Sequence, residues 1–370
     1  MDKDIRELAI ELRHELHMHP ELSNHEAQTK LRLMDFLRKH TGLEIEDRGR
    51  WFFARYSSGS SKPGVAFRAD MDALDFTEDD SLPYHSKTPG VSHKCGHDGH
   101  SAALAAFAFE TARHGAPRDV YFLFQHAEET GDGAKECCDL IRERDIDEIF
   151  AFHNMPEYPY GAVTSRKGTM NCASKGVCVR LIGTPSHSGA PENGISPAAA
   201  IAKIIEAIPE LCADKQYRGL VLCTVVFIEM GNKNFGLSPG EAEICFTCRG
   251  QHEAEMEALA GRLEAVVEKC CSKYGLKFEV SYVEPFPETV NHAGSVEKIK
   301  KASAALGYEY IDMKEPLRGS EDYGHYTKLI DGASFFIGAG DVPDIHTVGF
   351  DFDDSLIERA VSIFKELAAM

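Results

Sequence analysis

The sequence predicts an α/β protein in which a central mixed sheet is flanked by helices and an α+β domain of ferredoxin-like pattern is inserted. Three observations carry that expectation. A chain of 370 residues is too long for one ordinary hydrophobic core, so two domains are the default. Short apolar runs at residues 64–70, 119–125 and 147–153, with a helical stretch at 102–114 between the first two, spell strand–helix–strand alternation. Between residues 175 and 283 the pattern changes to β-α-β-β-α-β, the split arrangement of a self-contained unit. The expected boundaries are 1–172 and 286–370 for the sheet domain and 173–285 for the insertion.

In chain order, residues 4–19 place Ile5, Leu8, Ile10, Leu12 and Leu16 on an amphipathic helix that Pro20 stops. A second helix over 23–40 opens on Ser23-Asn24-His25-Glu26, a capping-box pattern. Ligands of α/β sheets gather beyond the carboxyl ends of the strands, which is where Asp70, Glu128, Glu129 and His153 fall. In the insertion, 175–182 alternates as a half-buried strand and 196–211 reads as a helix. Residues 220–229 and 241–249 read as strands, 253–274 as a long helix and 277–283 as the last strand. Glu284-Pro285-Phe286-Pro287 marks the return to the first domain. A helix at 294–306 follows, then a buried strand at 333–337 that ends in Gly338-Ala339-Gly340.

Apolar residues make up 43% and charged residues 27%, the balance of a soluble globular protein. The net charge of -19 disfavours nucleic acid or an anionic membrane as partner. A small anionic substrate stays open, because a local arginine or metal can reverse the field in a cleft. The amino terminus lacks a signal-peptide core, and no run approaches the roughly 20 apolar residues that span a bilayer. Eleven cysteines, with adjacent pairs at Cys137-Cys138 and Cys270-Cys271, show no disulfide framework. Reduced, mostly buried thiols in a cytoplasmic protein are expected.

Two clusters could carry chemistry. In "SHKCGHDGHS", residues 92–101, Cys95 and His97 flank Gly96, with His93 and His100 nearby. Glycine lets the backbone turn tightly, and a thiolate with imidazoles suits zinc while accepting manganese, nickel or cobalt. Without a paired Cys-x-x-Cys, the stretch alone leaves open a polar loop or a nucleophilic cysteine with its base. In "QHAEET", Glu128 and Glu129 follow a strand directly. One carboxylate could bind metal while the other moves protons, although exposed Glu pairs are also ordinary loop material. His153 ends the third strand and His346 lies in "DIHTVG"; a lone histidine is more often structural than a ligand. Together, Cys95, His97, Glu129, His153 and His346 fall on strand ends or adjoining loops of one sheet. Five potential ligands exceed the needs of one tetrahedral ion and suit two ions sharing a bridging water.

The segments "LRHELHMHPELSNHEAQT", "FRADMDAL", "SHKCGHDGHSA", "FQHAEET", "FHNMPEYPYG", "GTPSHSGAPENGISPAAA", "SEDYGHY" and "IHTVG" run in one order over nearly the whole chain. With them the chain resembles the metal-dependent amidohydrolase/metallopeptidase superfamily. That superfamily includes hippurate hydrolases, auxin-conjugate hydrolases, N-acyl-amino-acid deacylases and N-acetyldiaminopimelate deacetylases. The resemblance implies a dinuclear catalytic domain with an inserted lid or dimerisation domain. It assigns Cys95, His97, Glu129, His153 and His346 to two divalent ions (Zn, Mn, Ni or Co) and Glu128 to the general base. It matches His187 to a histidine that polarises the scissile carbonyl, often in a partner subunit's site, so a homodimer or higher homo-oligomer is expected. Arg249 matches a substrate-binding position, Asn234 is a substrate-binding candidate displaced from the family's asparagine position, and Gly338 and Gly340 would let backbone approach the substrate. Asp70 and Asp98 are expected to orient ligand histidines. Departures from the usual pattern fall at His126, at Asp75 and around Gly236, where Asn232 and Asn234 lie upstream. They leave the ligand set intact and the acyl group open.

The implied activity is hydrolysis of the amide of an N-acyl amino acid or similar small amide, with dipeptidase or carboxypeptidase action as the alternative. Two other classes remain for comparison. A thiol hydrolase would use Cys95 but leave Glu128, Glu129, His153 and His346 idle. A non-catalytic binding protein would have no need of Glu128.

Overall fold

The amphipathic start of the chain folds as two helices, α1 (Lys3–Met18) and α2 (Ala27–His40), in a computed structural model that describes residues 1–213 and 215–370. Ile5, Ala9, Leu12 and Leu16 of α1 are buried along one face, as the helical period requires. The capping box does not form. Ser23 Oγ donates to Asp72 Oδ2 at 2.7 Å and Glu26 accepts the Ala127 N–H at 2.7 Å, so both side chains serve other partners and α2 starts at Ala27. An antiparallel pair follows, β1 (Glu44–Asp47) and β2 (Phe52–Tyr56). The sequence pattern did not reveal it, because the first strand, EIED, has one apolar residue.

The strand β3 (Gly64–Asp70) is buried throughout. Val65, Phe67 and Ala69 enter the larger core and Ala66 the smaller one, so helices must cover both faces. The helix α3 (His97–His114) starts at His97 rather than at residue 102, which places the polar "HDGH" on its first turns. The elements β4 (Val120–Gln125), α4 (Gly133–Glu143), β5 (Ile146–Pro156) and β6 (Val163–Ser165) follow.

The chain then builds a second unit from residues 171–288 and 317–321. Its elements are β7 (Ala173–Ile182), α5 (Ala198–Cys212), β8 (Val221–Met230), β9 (Glu241–Gly250), α6 (Glu253–Tyr274) and β10 (Lys277–Phe286). The antiparallel sheet runs β8-β9-β7-β10, and Val177, Val179, Ile244 and Phe246 pack with Ile204, Leu259 and Leu263 of its two helices. Two features depart from the sequence expectation. Cys178 and Cys245, expected as reduced thiols, face each other across β7 and β9 and are joined as a disulfide. The short segment 317–321 also belongs to this unit: the Cys172 N–H donates to Leu317 O at 3.0 Å.

The first unit resumes with α7 (Ala293–Ala305), β11 (Tyr310–Asp312), β12 (Asp331–Gly340) and α8 (Ser355–Ala368). Its eight-stranded mixed sheet runs β1-β2-β4-β3-β5-β12-β6-β11, and the four central strands, β4, β3, β5 and β12, are parallel. Side chains from α1, α2, α3, α7 and α8 build the core on one face, and α4 contributes to the other. None of the described helices is long and apolar enough to cross a membrane.

Arg13 ties three distant segments together. Its buried guanidinium donates to Asp98 Oδ2 at 2.8 Å and Asp354 Oδ1 at 3.1 Å, pairs with Asp351, and lies 4.8 Å from the centre of the Tyr84 ring. Removing one partner of a buried ion pair leaves the others uncompensated. Arg13→Ala is therefore expected to lower unfolding stability by about 3–5 kcal/mol in urea titrations; a loss below about 1 kcal/mol would contradict the network's role.

Candidate metal centre

Parallel strands deliver their carboxyl ends to one edge, and that edge collects the polar residues of the first unit. Asp70 and Asp72 follow from β3, Glu128 and Glu129 from the loop after β4, and His153 from β5. Cys95 and His97 lie at the start of α3, and His346 in the loop after β12. Gly96 between the first pair has φ 103°, and a Cβ there would lie 2.2 Å from Asn154 Oδ1. Only glycine meets both demands, so Cys95 and His97 can point to one place. After β4, Ala127 at φ 48° and the Gly131 N–H donating to Glu128 O at 2.9 Å form the tight turn that presents the two glutamates.

Two of the three candidate imidazoles, those of His97 and His153, are held by their second nitrogen. His97 Nδ1 donates to Asp72, 3.0 Å from its carbonyl and 3.2 Å from Oδ1, which leaves the Nε2 lone pair to accept. His153 Nδ1 donates to the Asn154 carbonyl at 2.6 Å, so its Nε2 accepts from the Cys95 thiol at 3.3 Å. Potential ligand atoms of Cys95, His97 and His153 lie within 4.8 Å of one another, as do those of Cys95, Glu129 and His346. His97, Glu128 and Glu129 form a third such group. The structure thus brings together all five candidate ligands and the candidate base, with Cys95 common to two groups.

These residues suit divalent cations. His97 Nε2 and Glu129 Oε1 are buried without a hydrogen-bond partner, a state that native proteins rarely leave uncompensated. Burial, with Asp72 and Asp70 nearby, pushes the Glu129 carboxyl up to about 7. Burial and the Glu129 carboxylate push the Cys95 thiol well up, which disfavours a free thiolate nucleophile. A soft-plus-hard set of thiolate, imidazole and carboxylate matches zinc or a neighbouring first-row ion.

Several residues act differently from the sequence expectation. Asp98 Oδ2 accepts from Arg13 and His17, the latter at 2.8 Å, rather than from a candidate ligand histidine. Asp70 accepts from His100 Nδ1 at 2.7 Å and Arg68 at 2.6 Å, and lies 3.9 Å from His97 Nε2. Asp72 instead orients His97, and its Oδ2 also accepts the Glu129 N–H at 3.0 Å. The clue was in "RADMDAL": Asp72 follows the strand's last residue by two, preserving the parity of Asp70. A Cβ on Gly338 would lie 2.2 Å from Pro159 O, and Gly340 has φ 82°, so the chain itself claims the space both glycines leave.

The remaining candidates lie in the second unit. His187 is exposed, its Nδ1 accepting the Gly189 N–H at 3.0 Å. Asn234 is also exposed and accepts the Gly236 N–H at 3.1 Å. Arg249 donates to Ser320 Oγ at 2.7 Å and to the Arg318 carbonyl.

Behind Asp72 lies Glu26, whose carboxyl is pushed up to about 7 by burial and by Asp72. Its folded pKa exceeds the ordinary glutamate value of 4.5, so this group favours folding most below 4.5 and loses that contribution as pH rises through about 7. Glu26→Gln keeps the acceptor for Ala127. In the metal-free protein it is expected to melt higher than the parent above pH 7 and to lose that advantage near pH 4.5. Equal melting temperatures at pH 8 would refute this.

Residues 66–370 match peptidase family M20/M25/M40. The chain belongs to that family. It is a metal-dependent hydrolase of family M20, and relatives span its whole length. It is 27% identical to the N-acetylcysteine deacetylase of Bacillus subtilis over 100% of this chain and 98% of the relative. It is 29% identical to thermostable carboxypeptidase 1 of Saccharolobus solfataricus over 97% of this chain and 94% of the relative. A solved dinuclear metal-binding M20 peptidase of Bacillus subtilis superposes with a TM-score of 0.83 at 26% identity, covering 100% of this chain and 98% of the other.

Proposed function

We propose that the protein hydrolyses the amide bond of N-acyl amino acids or similar small amides. The observation that carries this reading is the pair of ligand-atom groups sharing Cys95, with Glu128 beside them. Cys95, His97, Glu129, His153 and His346 would hold two divalent ions, of zinc, manganese, nickel or cobalt. Such a pair, when bound, polarises the scissile carbonyl and acidifies a water. Asp72 fixes the His97 ring so that Nε2 points inward, and the Asn154 carbonyl does the same for His153. Glu128 takes a proton from the attacking water and returns it to the leaving amine.

In this reading the second unit is a lid and dimerisation domain. His187 polarises the carbonyl, and Arg249 and Asn234 meet the substrate's amino-acid end. Val226, Phe227, Ile228 and Met230 are exposed on β8, an edge strand, which supports pairing of two copies. The deacetylase relative supports the N-acyl substrate class, and the carboxypeptidase relative supports dipeptide or carboxyl-terminal cleavage as the alternative.

A panel of N-acyl amino acids and dipeptides, assayed with added manganese, zinc, nickel or cobalt against a chelated control, tests the proposal. Turnover confined to acyl substrates supports the amidohydrolase, and turnover confined to peptides supports the alternative. No turnover of any amide with any metal would overturn both.

A further inference from the structure

Lys94 sits beside Cys95, and its side chain is only 2% exposed. Buried ammonium groups persist only when paired and hydrogen-bonded. Lys94 Nζ lies 2.7 Å from Glu78 Oε2 and donates to the Phe350 carbonyl at 2.8 Å. Its own backbone carbonyl accepts the His346 N–H at 2.6 Å. One residue thus grips the His346 loop at two points, at the histidine backbone and at the buried Phe350 where the loop ends.

Within the loop, Thr347 Oγ1 donates to the Asp344 carbonyl at 2.5 Å and the Phe350 N–H to Thr347 O at 3.2 Å, bonds that shape the loop without anchoring it to the sheet. All residues of 341–349 except Ile345 are exposed, whereas Phe350 is 1% exposed. His346 has φ 62°, a conformation that bulky residues keep only where surrounding contacts impose it. Beyond Phe350, Asp351 accepts from Tyr84 Oη at 2.7 Å and pairs with Arg13, so the downstream end is fixed, and the His346 backbone N–H is bonded to Lys94.

We propose that Lys94 is a positioning residue that holds His346 at the second metal position. The inference rests on the reading of His346 as a ligand. The simpler role, neutralising Glu78, is shared with His17, whose Nε2 lies 3.2 Å from Glu78 Oε2, and would leave metal binding untouched.

Cobalt(II) titration of the metal-free full chain, followed by calorimetry and visible absorption, separates these roles. The parent protein should bind two ions. Lys94→Met should weaken one of them by about 10- to 100-fold, the effect typical of residues that orient a ligand, and alter its absorption band while leaving the other ion in place. The double variant Lys94→Met with Glu78→Gln, which removes both buried charges together, should behave alike and guards against misfolding of the single variant. Parent-like binding of both ions by the two variants, with His346→Ala losing one, would overturn the role of Lys94 and keep His346 as ligand. Equal weakening of both ions would also overturn it, as a general loss of structure. Parent-like binding of both ions by His346→Ala would overturn the ligand reading itself.

Discussion

Glu128→Gln is expected to lower kcat by about 10²- to 10⁴-fold, the contribution of a positioned general base, while the bound-metal count stays at the parent value. Glutamine matches glutamate in volume but cannot accept the water's proton. The Glu128 carboxylate lies 3.9 Å from His97 Nε2, next to the ligand cluster. Substrate binding should change little, so the loss should fall on kcat rather than KM. Activity within tenfold of the parent would remove Glu128 from the mechanism. Loss of metal as well as activity would instead make it a ligand.

Metal removal is the second large effect. Dialysis against a chelator should reduce turnover by on the order of 10³-fold or more, because carbonyl polarisation and water activation supply several kcal/mol. Added divalent metal should restore it. The melting temperature should fall on removal and recover with metal, since a ligand that binds only the folded state stabilises it. The outcome also discriminates mechanisms: a Cys95 thiol hydrolase would keep its activity in chelator. Cys95→Ala should mimic chelation, because Cys95 belongs to two of the ligand-atom groups.

The contrast between legible and illegible residues follows from distance along the chain. Cys95, His97, Glu128, Glu129 and His153 each lie on or next to a strand or helix end whose pattern is local, and parallel strands bring such ends to one edge. The start of α3 was misplaced, because "HDGH" reads as a loop until Gly96 and Asn154 are seen to pack together. β1 escapes the pattern because its strand conformation comes from pairing with β2 rather than from its own residues.

Other features could be decided only by the folded chain. Asp72 and not Asp98 orients His97, because Arg13 and His17 have already claimed Asp98. Arg68 beneath Asp70 is satisfied by Asp322, 254 residues away, and the Cys178–Cys245 disulfide spans 67 residues. Lys94 shows the same dependence, since its partners Glu78 and Phe350 come from two separate sequence segments of the first unit. The sequence by itself determined which residue types could meet a metal and on which elements they stand, because apolar periodicity and strand ends are local properties. Which carboxylate supports which histidine was decided by the tertiary structure, because a buried charge takes whatever partner packing brings within hydrogen-bond distance, and no local pattern records that choice.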